Sequence, residues 1–296
     1  MIRPPLFAFA AIVAIGAALL GLDLAPAIPR WLLWVVTVLA ALLAAHELLG
    51  RPLPFLRWSF LRMMLGMKSL LRDWQVGDGR EEAAAKFVIA NAPRGDLDAA
   101  IRAIDEYARR KSFLINVGDE KGAILDSVVH RIRPRLALEI GAYVGYSALR
   151  IARKLPQGGR LVSVELNADN AEIARRIAEH AGVADRVTFV TGHLGDEGKT
   201  MARLAAECGL AERSLDVVFL DHDKDAYLPD LRRLLDAGWL HPGSVVVADN
   251  VGFPGAPEYR AHMTAQEGKL WSTRVHETHV EYQSWIRDIV LESTLL

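Results

Sequence analysis

Leu136 to Ser147 reads LALEIGAYVGYS, and this stretch decides the fold. Leu136–Ile140 is a short apolar run stopped by Gly141, the pattern of a strand buried on both faces. Helical spacing resumes over Ser147–Lys154. Gly141 and Gly145 let the connecting backbone approach a ligand closely. Their spacing is G-x-x-x-G, so the dinucleotide fingerprint G-x-G-x-x-G is not met, and no Walker lysine follows.

Outward from this turn the elements alternate. Helices are predicted over Glu81–Ala92, Asp96–Arg110 and Glu120–Arg133 upstream. Downstream come strand Leu161–Glu165, helix Ala168–Ala181, and strands Val187–Thr191, Leu215–Leu220 and Ser244–Ala248, with a helix before each of the last two. Alternation of this kind implies an α/β fold with a doubly wound, mostly parallel sheet. Trp271–Glu277 and Val280–Ile289 leave no room for a helix between them, so they are predicted to form an antiparallel pair at one edge. Ligands of such sheets sit beyond the carboxyl ends of the strands. Here those ends carry Glu139-Ile140-Gly141, Glu165, Asp221 and Asp249-Asn250, which locates a site.

Charge is balanced, with 35 basic against 36 acidic residues among 296, so nothing global points to a nucleic-acid partner. Cys208 is the single cysteine, which excludes an intrachain disulfide and any cysteine-based zinc site. Apolar residues make up 51% of the chain and concentrate before residue 72. Leu6–Leu22 and Trp31–Ala45 are both uncharged, with a proline-containing turn between them. Counted with their flanks, they predict a transmembrane helical hairpin over residues 1–50, followed by a basic juxtamembrane segment (51–76) and the α/β domain (77–296). Arg51, Arg57, Arg62, Lys68 and Arg72 after the second run would place that domain in the cytoplasm. Two other readings stay open: a cleaved secretory signal for the first run, or two helices buried against the following domain.

The chemistry-bearing residues cluster at the strand ends. Glu165 is placed to accept hydrogen bonds from ribose hydroxyls, which together with the glycine turn favours a nucleoside-containing cofactor. Asp221, Asp249 and Asn250 offer hard oxygen ligands from adjacent strand ends, a set suited to Mg²⁺ rather than zinc. Lys224 follows Asp221 by three residues, and a neighbouring metal cation would favour its neutral amine as a general base. Asp223 and Asp225 read as solvated loop carboxylates.

From about Asn116 to Glu281 the chain resembles catechol O-methyltransferase. The matching segments are Asn116-Val117-Gly118-Asp119 with Lys121-Gly122, then LEIGAYVGYSALRIAR, VELN, VFLDH-x-KD-x-YLPD, VVADNV, PGAP and Val280-Glu281-Tyr282, in that order. The resemblance implies a Rossmann-like methyltransferase fold and an S-adenosylmethionine- and Mg²⁺-dependent enzyme acting on a catechol-like substrate. It implies that Val117, Glu139, Gly141, Tyr143, Ser147 and Glu165 bind S-adenosylmethionine, with Gly192 and His222 near the adenine and Asp221 bordering the cofactor. Asp221, Asp249 and Asn250 would hold Mg²⁺, and Lys224 would take the proton. Lys224, Asn250 and Glu281 would contact the substrate, Glu281 by accepting a hydrogen bond from its second hydroxyl. Asp223 stands where the family has an aromatic wall, and Phe113 and Ile115 replace other apolar residues at the pocket rim, which puts substrate identity in question. Another hydroxylated aromatic such as a caffeoyl-type ester is the nearest alternative. A catalytically inactive, membrane-tethered binding protein is the alternative of a different class.

Overall fold

The computed structural model describes residues 12, 13, 15, 16, 29–48, 58–73 and 75–296. It divides into two compact units, Met1–Met67 and Lys68–Leu296. In the first, helix α1 covers Arg30–Leu48 and α2 covers Trp58–Leu65; α3, Met67–Asp73, crosses the boundary. The run Leu6–Leu22 lies outside the described residues apart from four positions.

The expected membrane anchor, and the cytoplasmic placement inferred from it, are corrected here: among the described residues no helix is long and apolar enough to cross a membrane. The reason is length. Within α1 the uncharged run Trp31–Ala45 has 15 residues between Arg30 and His46-Glu47. At 1.5 Å per residue it spans about 22 Å, short of a hydrocarbon core roughly 30 Å thick. Counting polar flanks as membrane length produced the expectation.

The second unit carries helices α4 (Arg80–Asn91), α5 (Leu97–Arg110) and α6 (Gly118–Ile132) before its first strand, β1 (Leu136–Ile140). Then follow α7 (Tyr146–Lys154), β2 (Arg160–Glu165), α8 (Ala168–His180), β3 (Val187–Thr191), α9 (Lys199–Cys208), β4 (Leu215–Leu220), α10 (Tyr227–Asp236), β5 (Leu240–Ala248), α11 (Pro257–Ala265), β6 (Trp271–His279) and β7 (Arg287–Leu295). Seven strands form one sheet in the order β3-β2-β1-β4-β5-β7-β6, parallel as far as β5 and antiparallel for the last two pairs. Both faces are covered, as the uninterrupted apolar strands require. Ala137, Val217, Phe219, Val245 and Val247 pack toward α4–α8 on one face. Leu138, Ile140, Val218, Leu220 and Val246 pack toward α9–α11 on the other.

One expected strand is misplaced. β7 begins at Arg287, whereas Val280–Ile286 forms the connection after β6, closed by a 3.0 Å bond from the Val280 amide to the Ile286 carbonyl. Gln283 fastens it: its amide group donates to Val280 O at 2.9 Å, and its Oε1 accepts from the Ile286 amide at 2.8 Å. Apolar Val280, Tyr282 and Ile286, all on one parity, imitate strand alternation here, yet Tyr282 sits at φ 56°, outside extended backbone. Glu281 therefore stands on a turn and not on a strand.

Candidate active site

Register builds the site. Ile140 pairs with Val164 on one side and Leu220 on the other, and Leu220 pairs with Ala248. The next residue of each strand continues the ladder: Gly141 N donates to Val164 O (2.9 Å), Asp221 N to Ile140 O (2.9 Å) and Asp249 N to Leu220 O (3.0 Å). Gly141, Asp221 and Asp249, with Glu165 closing β2, thus form one rank at the carboxyl edge. That is the crevice where doubly wound sheets bind ligands.

At the β1–β2 end, both oxygens of Glu165 are aimed by backbone. Its Oε2 accepts from the Tyr143 amide (2.8 Å) and its Oε1 from the Asn167 amide (2.9 Å). Tyr143 holds a left-handed φ of 48°, and its hydroxyl donates to the buried Glu81 at 2.8 Å. Glu139 is fully buried; burial pushes its pKa up to about 7. Ser163 donates to Glu139 Oε2, and among the described residues Oε1 has no hydrogen-bond partner. Ser147 is buried in the first turn of α7 and Val117 just before α6. Gly192 N donates to Glu165 O at 2.9 Å. The His222 Nε2 meets Asp230 Oδ2 at 2.9 Å, while its Nδ1 is buried and unpartnered among the described residues. Asp223 and Asp225 are exposed, in a local turn where Asp223 accepts from the Asp225 amide at 3.2 Å. Phe113 is buried and Ile115 half-buried.

At the β4–β5 end, Lys224 Nζ lies 3.1 Å from Asp221 Oδ1 and 2.7 Å from the Tyr227 hydroxyl. Asn250 follows Asp249 in a left-handed turn (φ 54°) and donates from Nδ2 to Asp288 Oδ2 (2.8 Å) and to Glu281 Oε1 (3.3 Å). Two residues that sequence reasoning gave no role complete the cluster. Lys121, 1% exposed, places Nζ 2.9 Å from Asp249 Oδ1, 2.5 Å from Glu281 Oε1 and 3.1 Å from Asp288 Oδ2. Asp288 also accepts from the Gly252 (3.2 Å) and Phe253 (2.8 Å) amides. A signal for Lys121 existed in the sequence: it falls in the first turn of a helix, where the dipole disfavours a cation. Such a lysine needs anionic partners from elsewhere.

Burial alone would favour the neutral amine of Lys121, but Asp249, Glu281 and Asp288 hold its pKa well above the ordinary value. Burial pushes Asp221 and Asp249 upward, and each is opposed by Lys224 and Lys121. Four carboxylates (Asp221, Asp249, Glu281, Asp288) face two ammonium groups, a formal charge of −2, so the cluster lacks positive charge. Asp249 Oδ2 is buried without a hydrogen-bond partner among the described residues. Among those residues no group of three or more His, Cys, Asp or Glu side chains is arranged to hold a metal ion. Two carboxylates and the Asn250 amide are what the rank presents.

A model of the O-methyltransferase family matches residues 100–278. A probable O-methyltransferase of Mycobacterium tuberculosis is 56% identical over 234 residues, 79% of this chain and 100% of that protein. Catechol O-methyltransferase of Bos taurus is 39% identical over 219 residues, 74% of this chain and 79% of that protein. Among solved structures, an O-methyltransferase from Bacillus cereus in complex with SAH superposes with a TM-score of 0.54 at 25% identity, covering 68% of this chain and 90% of that one.

Proposed function

The chain belongs to the O-methyltransferase family, and on that premise we propose that residues 77–296 transfer the methyl group of S-adenosylmethionine to one hydroxyl of a catechol-like substrate held with Mg²⁺. The observation that carries this reading is the juxtaposition of Lys224 Nζ and Asp221 Oδ1, 3.1 Å apart, in the same rank as Asp249. A proton acceptor and a metal-binding oxygen set then share one strand edge.

The residues fit both groups. Glu165, aimed by two backbone amides, would take the ribose hydroxyls, and Glu139 Oε1 offers a buried, unused acceptor beside it. Val117, Gly141, Tyr143 and Ser147 would line the same cofactor site, with Gly192 and His222 toward the adenine. Asp221, Asp249 and Asn250 would hold Mg²⁺, matching the charge deficit and the unpartnered Asp249 Oδ2. When bound, the ion would orient two vicinal hydroxyls and favour ionisation of one, opposite the sulfonium methyl. Lys224 Nζ would accept the proton of the hydroxyl to be methylated. Glu281 would accept a hydrogen bond from the second hydroxyl through the carboxylate oxygen that Lys121 and Asn250 do not use, and Asn250 would border the same substrate. The likeness to catechol O-methyltransferases supports the substrate class. Asp223, exposed where an aromatic wall would stand, favours a more polar acceptor than a plain catechol.

Purified protein incubated with labelled S-adenosylmethionine and a panel of catechols and caffeoyl-type esters tests the reading. Transfer to a vicinal diol that stops with a chelator and returns with Mg²⁺ is the expected result. No metal-dependent transfer to any vicinal diol would overturn it.

A further inference from the structure

We propose that Lys121 is the built-in counter-cation of the metal site and sets how weakly the divalent ion is held, an inference that rests on the Mg²⁺ reading above. Its ammonium group has no reason to be there from its own helix: it lies in the first turn of α6, where the dipole repels it, and is 1% exposed. Three carboxylates from distant parts of the chain hold it at 2.5–3.1 Å.

Asp249 shows what this does to the ion. Its Oδ1 is taken by Lys121 Nζ at 2.9 Å and by the Asn250 amide at 2.7 Å, while Oδ2 is left buried and free. Lysine and metal would therefore share one carboxylate, each on its own oxygen. Two cations this close in a water-poor site repel strongly, because little solvent screens them. Without the ammonium the cluster would carry a formal −3 in place of −2 and attract the ion more. Lys121 also occupies Glu281 Oε1, which keeps that carboxylate from closing on the metal and leaves it for the substrate hydroxyl.

Titration calorimetry of the purified full chain with Mg²⁺, without substrate, reads this directly. Lys121→Met should bind the ion at least roughly tenfold more tightly than the parent, and Lys121→Arg, which keeps the charge, within about threefold of it. Thermal unfolding with and without Mg²⁺ gives the second readout: Lys121→Met should gain more Tm from the ion than the parent does, even if it unfolds readily without it. Equal or weaker binding by Lys121→Met, or no larger gain in Tm, overturns the role of Lys121 alone. A parent that binds no divalent ion in the same titration overturns the metal reading itself, and this inference with it.

Discussion

A Cβ placed on Gly141 would stand 2.2 Å from the carbonyl oxygen of Asp221, so the turn after β1 lies directly against the end of β4. Gly141 also holds φ +102°, which side-chain-bearing residues rarely adopt. Gly141→Ala must therefore push apart the two strand ends that carry the cofactor turn and Asp221. It should destabilise the fold by about 3 kcal/mol and weaken S-adenosylmethionine binding. Gly158 is the control: its φ is +79° but nothing lies within 4 Å of its would-be Cβ. Gly158→Ala should cost about 1 kcal/mol and leave the cofactor affinity alone. Urea unfolding of both variants decides; equal costs would show that the contact with Asp221 does not matter.

Lys224 is fixed by Asp221 at 3.1 Å and Tyr227 at 2.7 Å, and neither bond involves the cofactor pocket around Glu165. Lys224→Ala should lower kcat by roughly 10²- to 10⁴-fold while S-adenosylmethionine affinity stays within about twofold. Single-turnover kinetics beside equilibrium cofactor binding separates the two. Equal loss of both would contradict its role as the base.

Glu139 supplies the pH dependence. Burial raises its folded pKa to about 7 from an ordinary 4.5. A carboxyl raised in this way favours the folded state when protonated. Its contribution is fully present below the unfolded value and is lost as pH climbs toward 7. The loss amounts to about 3 kcal/mol across that window. Glu139→Gln keeps a neutral group in place, so its stability relative to the parent should grow between about pH 5 and pH 8. Denaturant midpoints at both ends measure this; a constant difference would mean that Glu139 ionises freely in the folded protein.

The residues behind these predictions differ in how visible they are in the sequence. Glu165, Asp221 and Asp249 are legible because parallel strands must end at one edge, and register alone then brings them together. Asp288 is not, and Lys121 signals only that it needs anionic partners, because which ones depends on the first turn of α6 meeting the ends of β5 and β7 more than a hundred residues away. The β7 boundary was hidden by a turn whose apolar residues imitate a strand until the Gln283 clamp is seen. The first unit failed for a simpler reason, since 15 uncharged residues flanked by Arg30 and His46-Glu47 resemble a span only when the flanks are counted.

That turn has a further consequence, because it sets Glu281. Its neighbour Tyr282 donates its hydroxyl to Asp105 Oδ1 at 2.9 Å and accepts from Asn116 Nδ2 at 2.7 Å, with the Arg109 guanidinium 5.2 Å from its ring centre. Tyr146 donates to the same Asp105 oxygen at 2.8 Å. Tyr282→Phe would leave Asn116 Nδ2 without this acceptor and loosen the backbone on which Glu281 stands. It should cost about 1–3 kcal/mol of stability. It should also raise the KM for a vicinal diol, with cofactor affinity unchanged. Asp105→Asn makes the sharper comparison. Burial pushes the Asp105 carboxyl above the usual range, and both phenols use only its Oδ1, which an asparagine oxygen can replace. That variant should keep a KM close to the parent's, whereas Tyr282→Phe should not. If the two variants raise KM alike, the turn depends on the charge of Asp105 as well as on the Tyr282 hydroxyl, and a neutral oxygen at position 105 is not enough.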